Sequence, residues 1–386
     1  MGSTEQNLFE LISSVVLGKK PSFDSLSQDE IVEIYKISRN HNIIHLPSAA
    51  LINLDLLMGD EKAHSFFEER LNAAMFKRLS MQYSYEKCCL LLEEEGIDHI
   101  PLKGAVLREL YPEPWMRVSV DIDILVRPED HQRAVEALVN KLEFKRTDIS
   151  TPHDVTLMAD DGTCVEMHFD LIEDEIFPNA HKVLSDVWSG AIKDDDCSHR
   201  YHLDMSIFYF YHVVHLAKHM KLGGGGIKDY LDLYLLYLSG QNVSSNEALL
   251  REGGILSFAT VAEQLSRVWF GGEEHNDITR SLSDFVMSGG LFRSQKNTNI
   301  LERRQRKSKL GYYLSRLFVP YDYLKKQYPI IEKRPYLTPV YEIKRLWDLA
   351  FGKKKEHRKE LISNYSAISE EEINNLDALL KALELG

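Results

Sequence analysis

Two acids interrupt an otherwise apolar run, Val118-Ser119-Val120-Asp121-Ile122-Asp123-Ile124-Leu125-Val126. A strand alternates its faces, so Asp121 and Asp123 point the same way, with Cα atoms roughly 6.5–7 Å apart. Acids rarely sit inside an apolar strand unless they are paired or bind metal. The pair therefore reads as a carboxylate site for one or two divalent ions, and the plainer alternative is an edge strand with a solvated acidic face. A second apolar stretch, Val165-Glu166-Met167-His168-Phe169, puts Glu166 and His168 on one face. If it pairs beside the first, Glu166 becomes a third carboxylate. Three carboxylates and two Mg²⁺ ions suit in-line attack on a nucleotide α-phosphate: one ion activates the acceptor hydroxyl and the other holds the triphosphate. Lys103-Gly104 stands at a strand-to-helix turn, where backbone N–H groups, a helix N-terminus and a lysine favour phosphate.

The positioning elements follow from pattern. Residues 5–95 read as helical: Ser27 with Glu30 forms a capping box, and 60–95 has neither Gly nor Pro. Strands are expected at 97–102, 118–126, 144–146, 155–158 and 163–171, with short helices at 105–111 and 128–141. Asp160-Asp161-Gly162 is a hairpin turn. Helices return from 178, at 202–221, 227–238, 243–252, 256–270, 276–288 and 301–318. Four prolines among tyrosines make 319–340 a loop or linker. Ser369 with Glu372 caps a last helix at 367–384. The expected class is α+β: a small mixed sheet between a helical N-terminal arm and a large helical C-terminal half. The segments are 1–96, 97–175, 176–318 and 319–386.

In this order Leu102-Lys103-Gly104, Arg117, Asp121-Ile122-Asp123-Ile124-Leu125-Val126 and Val165-Glu166-Met167-His168 resemble the nucleotidyltransferase superfamily typified by DNA polymerase β. The resemblance is to a group of uncharacterised bacterial members with an LKG…R…DIDLLV…ElH pattern. It is strong over 97–172 and looser over His215-Leu216-Ala217-Lys218-His219 and Ile227-Lys228-Asp229-Tyr230-Leu231-Asp232. The turn departs from the superfamily's usual Gly-Ser or Gly-Gly, and Gly104 lies farther from Asp121 than is common.

The resemblance implies transfer of a nucleoside monophosphate from an NTP to an acceptor hydroxyl, with Mg²⁺ or Mn²⁺ and release of pyrophosphate. Asp121, Asp123 and Glu166 would hold metal and act catalytically, and Lys103 and Gly104 would hold phosphate. Arg117 reads either as a phosphate fork or as an ion pair orienting the acids. His168 reads as a ligand, a proton shuttle or a structural histidine. His212, His215 and His219 share a helix face beside Lys218. They form a metal site or a polar stripe; by resemblance, His215, Lys218 and His219 line the nucleotide cleft. Gly223 to Gly226 reads as a hinge more than as a phosphate loop.

Composition narrows the partners. A net charge of −13 over 386 residues argues against bulk nucleic acid as acceptor. A small molecule, peptide or protein hydroxyl remains open. Four cysteines without CxxC spacing suggest neither a disulfide scaffold nor zinc. No signal peptide or transmembrane run is read, so a cytoplasmic protein without a membrane partner is expected. The basic residues Lys353, Lys354, Lys355, Arg358 and Lys359 read as a solvated face. Two alternatives use the same residues: a nucleotide-sensing module without turnover, and phosphoryl transfer.

Overall fold

A computed structural model describes residues 2–151, 153–289, 297, 301, 321, 324, 325, 328–351 and 369–386. The chain divides into two compact units, Met1–Phe292 with Ala382–Leu385, and Arg293–Lys381 with Gly386.

The first unit opens with helices α1 (Ser3–Val16), α2 (Gln28–Asn40), α3 (His45–Asn53) and α4 (Glu61–Glu94). The capping box holds: Ser27 Oγ accepts from the Glu30 amide and Glu30 accepts from the Ser27 amide. Asp60 caps α4 by accepting from the Lys62 and Ala63 amides, and α4 is one helix of 34 residues. Its C-terminal part presents Met81, Cys88, Leu91 and Leu92 to the core under the sheet.

The sheet contains β1 (His99–Pro101), β2 (Ile122–Val126), β3 (Lys145–Thr151), β4 (Asp154–Met158) and β5 (Cys164–His168), in the order β1-β2-β5-β4-β3. β2 and β5 are parallel; the other neighbours are antiparallel. Helix α5 (Gly104–Leu107) follows β1, and α6 (His131–Lys141) follows β2. Ile124, Val126, Val165, Met167 and Leu157 pack with Ala134, Val135 and Leu138 of α6 in one apolar cluster. At about 25 cal/mol per Å², such burial is what fixes the strand register.

The unit continues through α7 (Pro178–Leu184) and a small ribbon of β6 (Ile192–Lys193) and β7 (Tyr201–His202). Then come α8 (Met205–Lys221), α9 (Ile227–Leu238), α10 (Glu247–Glu252), α11 (Leu256–Ser266) and α12 (Asp277–Gly289). Gly223 to Gly226 is buried. The Gly224 amide donates to His219 and the Gly226 amide to Asp229, closing α8 and opening α9.

Several boundaries differ from expectation. β2 starts at Ile122, not Val118, because its partners run out: Ile122 faces Val165 near the start of β5, and β1 reaches only Ile124. His202 belongs to the ribbon, because Asp204 caps α8 by accepting from the Ser206 amide. Arg267–Gly271 leaves α11 as a π-turn. The expected helix at 301–318 lies outside the described residues apart from 301, and so does the basic run at 353–359.

In the second unit helices enter the expected linker: α13 (Ile330–Lys333) lies within it, and α14 (Thr338–Phe351) starts in it. Pro339 falls in the first turn of α14, where its missing N–H costs nothing, so a residue that reads as a breaker is a start signal. Ser369 caps α15 (Glu370–Ala382) as expected. No described helix is long and apolar enough to cross a membrane.

Candidate active site

Parallel pairing of β2 with β5 sets Asp123 beside Glu166, and His168 follows two residues along the same face. His168 Nε2 lies 2.9 Å from Asp123 Oδ1 and 3.6 Å from Glu166 Oε2. Donor atoms of these three residues lie within 4.8 Å of one another. Asp121 stands one residue outside the ladder, in the bend that leads into β2. Among the described residues it is not part of that tight trio. Its carboxyl is nevertheless pushed up by burial and by the charge of Asp123.

Lys103 reaches across from the end of β1, its Nζ 2.6 Å from Asp123 Oδ1. Burial opposes ionisation of Asp123, but Lys103 and His168 outweigh it and hold the carboxyl below its ordinary value. The Lys103 ammonium is raised well above its ordinary value: burial opposes this, and Asp123, Tyr211, Asp121 and Glu166 overcome it. Glu166 has the opposite balance. Burial and the charge of Asp123 push it up to about 8.

Lys103 has φ 39° and ψ −105°, a left-handed conformation unusual for a residue with a Cβ. Gly104 is required by a close approach, since a Cβ there would meet Ser119 Oγ at 2.1 Å. The Lys103–Gly104 turn and the loop ahead of Asp121 are therefore packed directly on each other.

Arg117 fixes the other side of that loop. Its Nε donates to Asp232 Oδ1 at 2.7 Å, and Tyr111 Oη donates to the same oxygen at 2.7 Å. Arg117 is 4% exposed and Asp232 0%. Arg117 thus makes an ion pair, but with α9 instead of the strand acids. Its Nη1 donates to the Val118 carbonyl and to Ser119 Oγ.

α8 packs its histidine stripe over this side. The rings of His215 and His219 lie 4.3 Å apart, edge to face. Burial and then the Lys103 charge hold His215 well below its ordinary value. Burial brings His219 to about 4, against the pull of Asp229. Lys218 is committed to Glu173 at 2.8 Å and lies 3.4 Å from His153 Nε2. His212 contacts the Asp229 carbonyl.

Four residues of this neighbourhood were not singled out from sequence. His153 stacks on His168 at 5.8 Å and bonds Glu173 through Nδ1 at 3.1 Å. With Asp154 and His168 it makes a second group of metal-capable donors. Only the antiparallel register Asp154↔His168 brings it there. Tyr211 and Lys228 are the other two: the Lys228 charge lowers Asp121, and Asp123, Glu166 and Asp121 raise the Tyr211 phenol. The helical spacing of Tyr211 to His215, and of Lys228 to Asp232, was the available signal.

The donor set suits a hard divalent cation. Asp123 and Glu166 supply carboxylate oxygens with Asp121 adjacent, and the raised Glu166 carboxyl is the mark of a site short of positive charge. No curated protein and no solved structure matches the chain. A family model does match, over residues 27–271, more than half of the chain and all of the site described above, and the chain belongs to that family, the uncharacterised nucleotidyltransferases.

Proposed function

We propose that the chain transfers a nucleoside monophosphate from an NTP to an acceptor hydroxyl of a small molecule, peptide or protein. The acceptor oxygen bonds to the α-phosphorus, the bond to the β-bridging oxygen breaks, and pyrophosphate leaves. The observation that carries this reading is the Asp123↔Glu166 register, with the Lys103–Gly104 turn against it.

Asp121, Asp123 and Glu166 are the residues to hold Mg²⁺ or Mn²⁺, and His168 orients Asp123. When bound, the cation supplies charge neutralisation for the triphosphate and a lower acceptor pKa. With the cation bound to keep it ionised, Glu166 is the residue to receive the acceptor proton. Lys103 moves its ammonium from Asp123 to the β and γ phosphates, and the Gly104 turn admits them closely. His215 and His219 line the nucleotide side from α8, and Arg117 and Lys218 support the cleft through Asp232 and Glu173.

The test is a panel of labelled NTPs with Mg²⁺ or Mn²⁺ and mixed acceptors, for the parent chain and for Asp121→Ala with Asp123→Ala. Pyrophosphate release lost in the double variant is the expected result. Release of NDP would mean phosphoryl transfer. Nucleotide binding without product across the panel would mean a sensing module.

A further inference from the structure

Among the described residues two arginines, Arg108 beside the Gly104 turn and Arg78 on α4, have no ion-pair partner. Arg108 lies four residues after Gly104 and is 8% exposed. Its Nη2 comes within 3.9 Å of the place a Cβ on Gly104 would occupy. Arg78, midway along α4, stands close enough for the two charges to act on each other. The Nε of Arg108 and the Nε and Nη1 of Arg78 are sealed from solvent without a hydrogen-bond partner. Among the described residues neither guanidinium has an ion pair. Glu109 and Glu86 act on Arg78, and Glu109 on Arg108, only through space. The third guanidinium nearby, Arg117, is committed to Asp232.

A buried charge without a partner is retained against a large desolvation penalty, and two like charges together add repulsion. The strain is visible in Arg108, which burial, Arg78 and Arg117 bring down to about 10. Arg108 is buried and Arg78 half-buried, and planar forks with unpartnered N–H groups match the oxygens of a phosphate group. Arg108, whose Nη2 reaches the Gly104 turn, would set that phosphate on the same turn as Lys103.

We propose that Arg78 and Arg108 form a phosphate-binding fork beside the Lys103–Gly104 turn. Its ligand is a phosphate group, carried either by the tail of the NTP or by the acceptor. The first source rests on the nucleotidyl-transfer reading; the fork itself does not.

The full chain is titrated, without divalent metal and with chelator, against tripolyphosphate, inorganic phosphate and ATP, followed by calorimetry and thermal melting. Tripolyphosphate or phosphate should raise the melting temperature of the parent. Arg108→Met and, separately, Arg78→Met should weaken binding by about tenfold or more, the loss of a charge-assisted bidentate contact. Without ligand each variant should melt at or above the parent, because an unpaired charge has gone. Tripolyphosphate that competes with ATP places the NTP tail on the fork; inorganic phosphate that binds without competing assigns the acceptor's phosphate. Unchanged affinity in both variants, or no binding of any of the three by the parent, overturns the fork. Arginine-dependent binding in a chain that releases no pyrophosphate with any NTP leaves the fork standing and removes the transfer reading.

Discussion

Lys103 Nζ sits 2.6 Å from Asp123 Oδ1, and the lysine that reaches it is held at φ 39°. A left-handed backbone at a residue with a Cβ costs roughly 1–3 kcal/mol and persists where the surroundings over-determine it. Here the strain aims the ammonium at the strand acids. Replacing Lys103 leaves Asp123, 4% exposed, without its main counter-charge, a loss of about 3–5 kcal/mol. Lys103→Gly should be more stable than Lys103→Ala by about 1 kcal/mol, because only glycine adopts that φ freely. Urea unfolding of the two variants decides it, and an alanine variant as stable as the glycine one refutes the strain.

Gly104 and Ser119 interlock, with 2.1 Å between Ser119 Oγ and a Cβ placed on Gly104. Gly104→Ala must turn Ser119 Oγ out of its bond with Arg117 and press on Ser119 Cβ, at 3.2 Å, and so disturbs the loop that presents Asp121. A shift of about 1 Å at such a site costs on the order of 100-fold in rate. Ser119→Gly in the same chain removes the clash and should restore much of the pyrophosphate release. If the double variant is no better than Gly104→Ala alone, the turn matters for another reason.

Part of this site was legible because the strand period is two: Glu166 and His168 fall on one face by counting alone, and the parallel pairing of β2 with β5 then sets Asp123 beside them. Asp121 did not follow the rule, since the ladder ends at Ile122 and the alternation ends with it. The partner of Arg117 was unreadable for a different reason. Asp232 lies 115 residues away on a helix whose orientation only the packed fold sets. His153 needed the register of β4 on β5, and the unpaired state of Arg78 and Arg108 is a property of space, not of spacing. Pro339 misled because a proline says where a helix does not continue, which is also true of where one begins.

Glu166 makes stability depend on pH in a stated direction. Its folded value of about 8 exceeds the ordinary 4.5, so between these values the folded chain keeps a proton that the unfolded chain has lost. Stability without metal must fall as pH rises through that window, with a slope of up to about 1.4 kcal/mol per pH unit. His153 and His219, brought to about 4, work oppositely but only below their ordinary 6.5. The interval from 6.5 to 8 lies above the ordinary value of these histidines, so a decline there belongs to the raised acids, Glu166 with its neighbour Asp121. Urea midpoints across that interval should decline for the parent and flatten for Glu166→Gln. A parent curve as flat as the variant's contradicts the assignment.

Asp232 is the anchor that turns α9 into part of the site. It receives both Arg117 and Tyr111, at 2.7 Å each, in a place with no solvent exposure. Asp232→Asn strips the charge opposite a buried guanidinium and should cost about 3–5 kcal/mol. Removing all three polar partners together, Arg117→Met with Asp232→Leu and Tyr111→Phe, leaves no unpaired charge and should regain most of that loss, because buried ion pairs are often replaceable by apolar residues at little cost. Activity should not return with stability. Arg117 also donates to Val118 and Ser119, and without those bonds the loop that presents Asp121 loses its fixed position. Chemical denaturation and pyrophosphate release on the same samples separate the two effects. A triple variant both stable and fully active would reduce the Arg117–Asp232 pair to scaffolding.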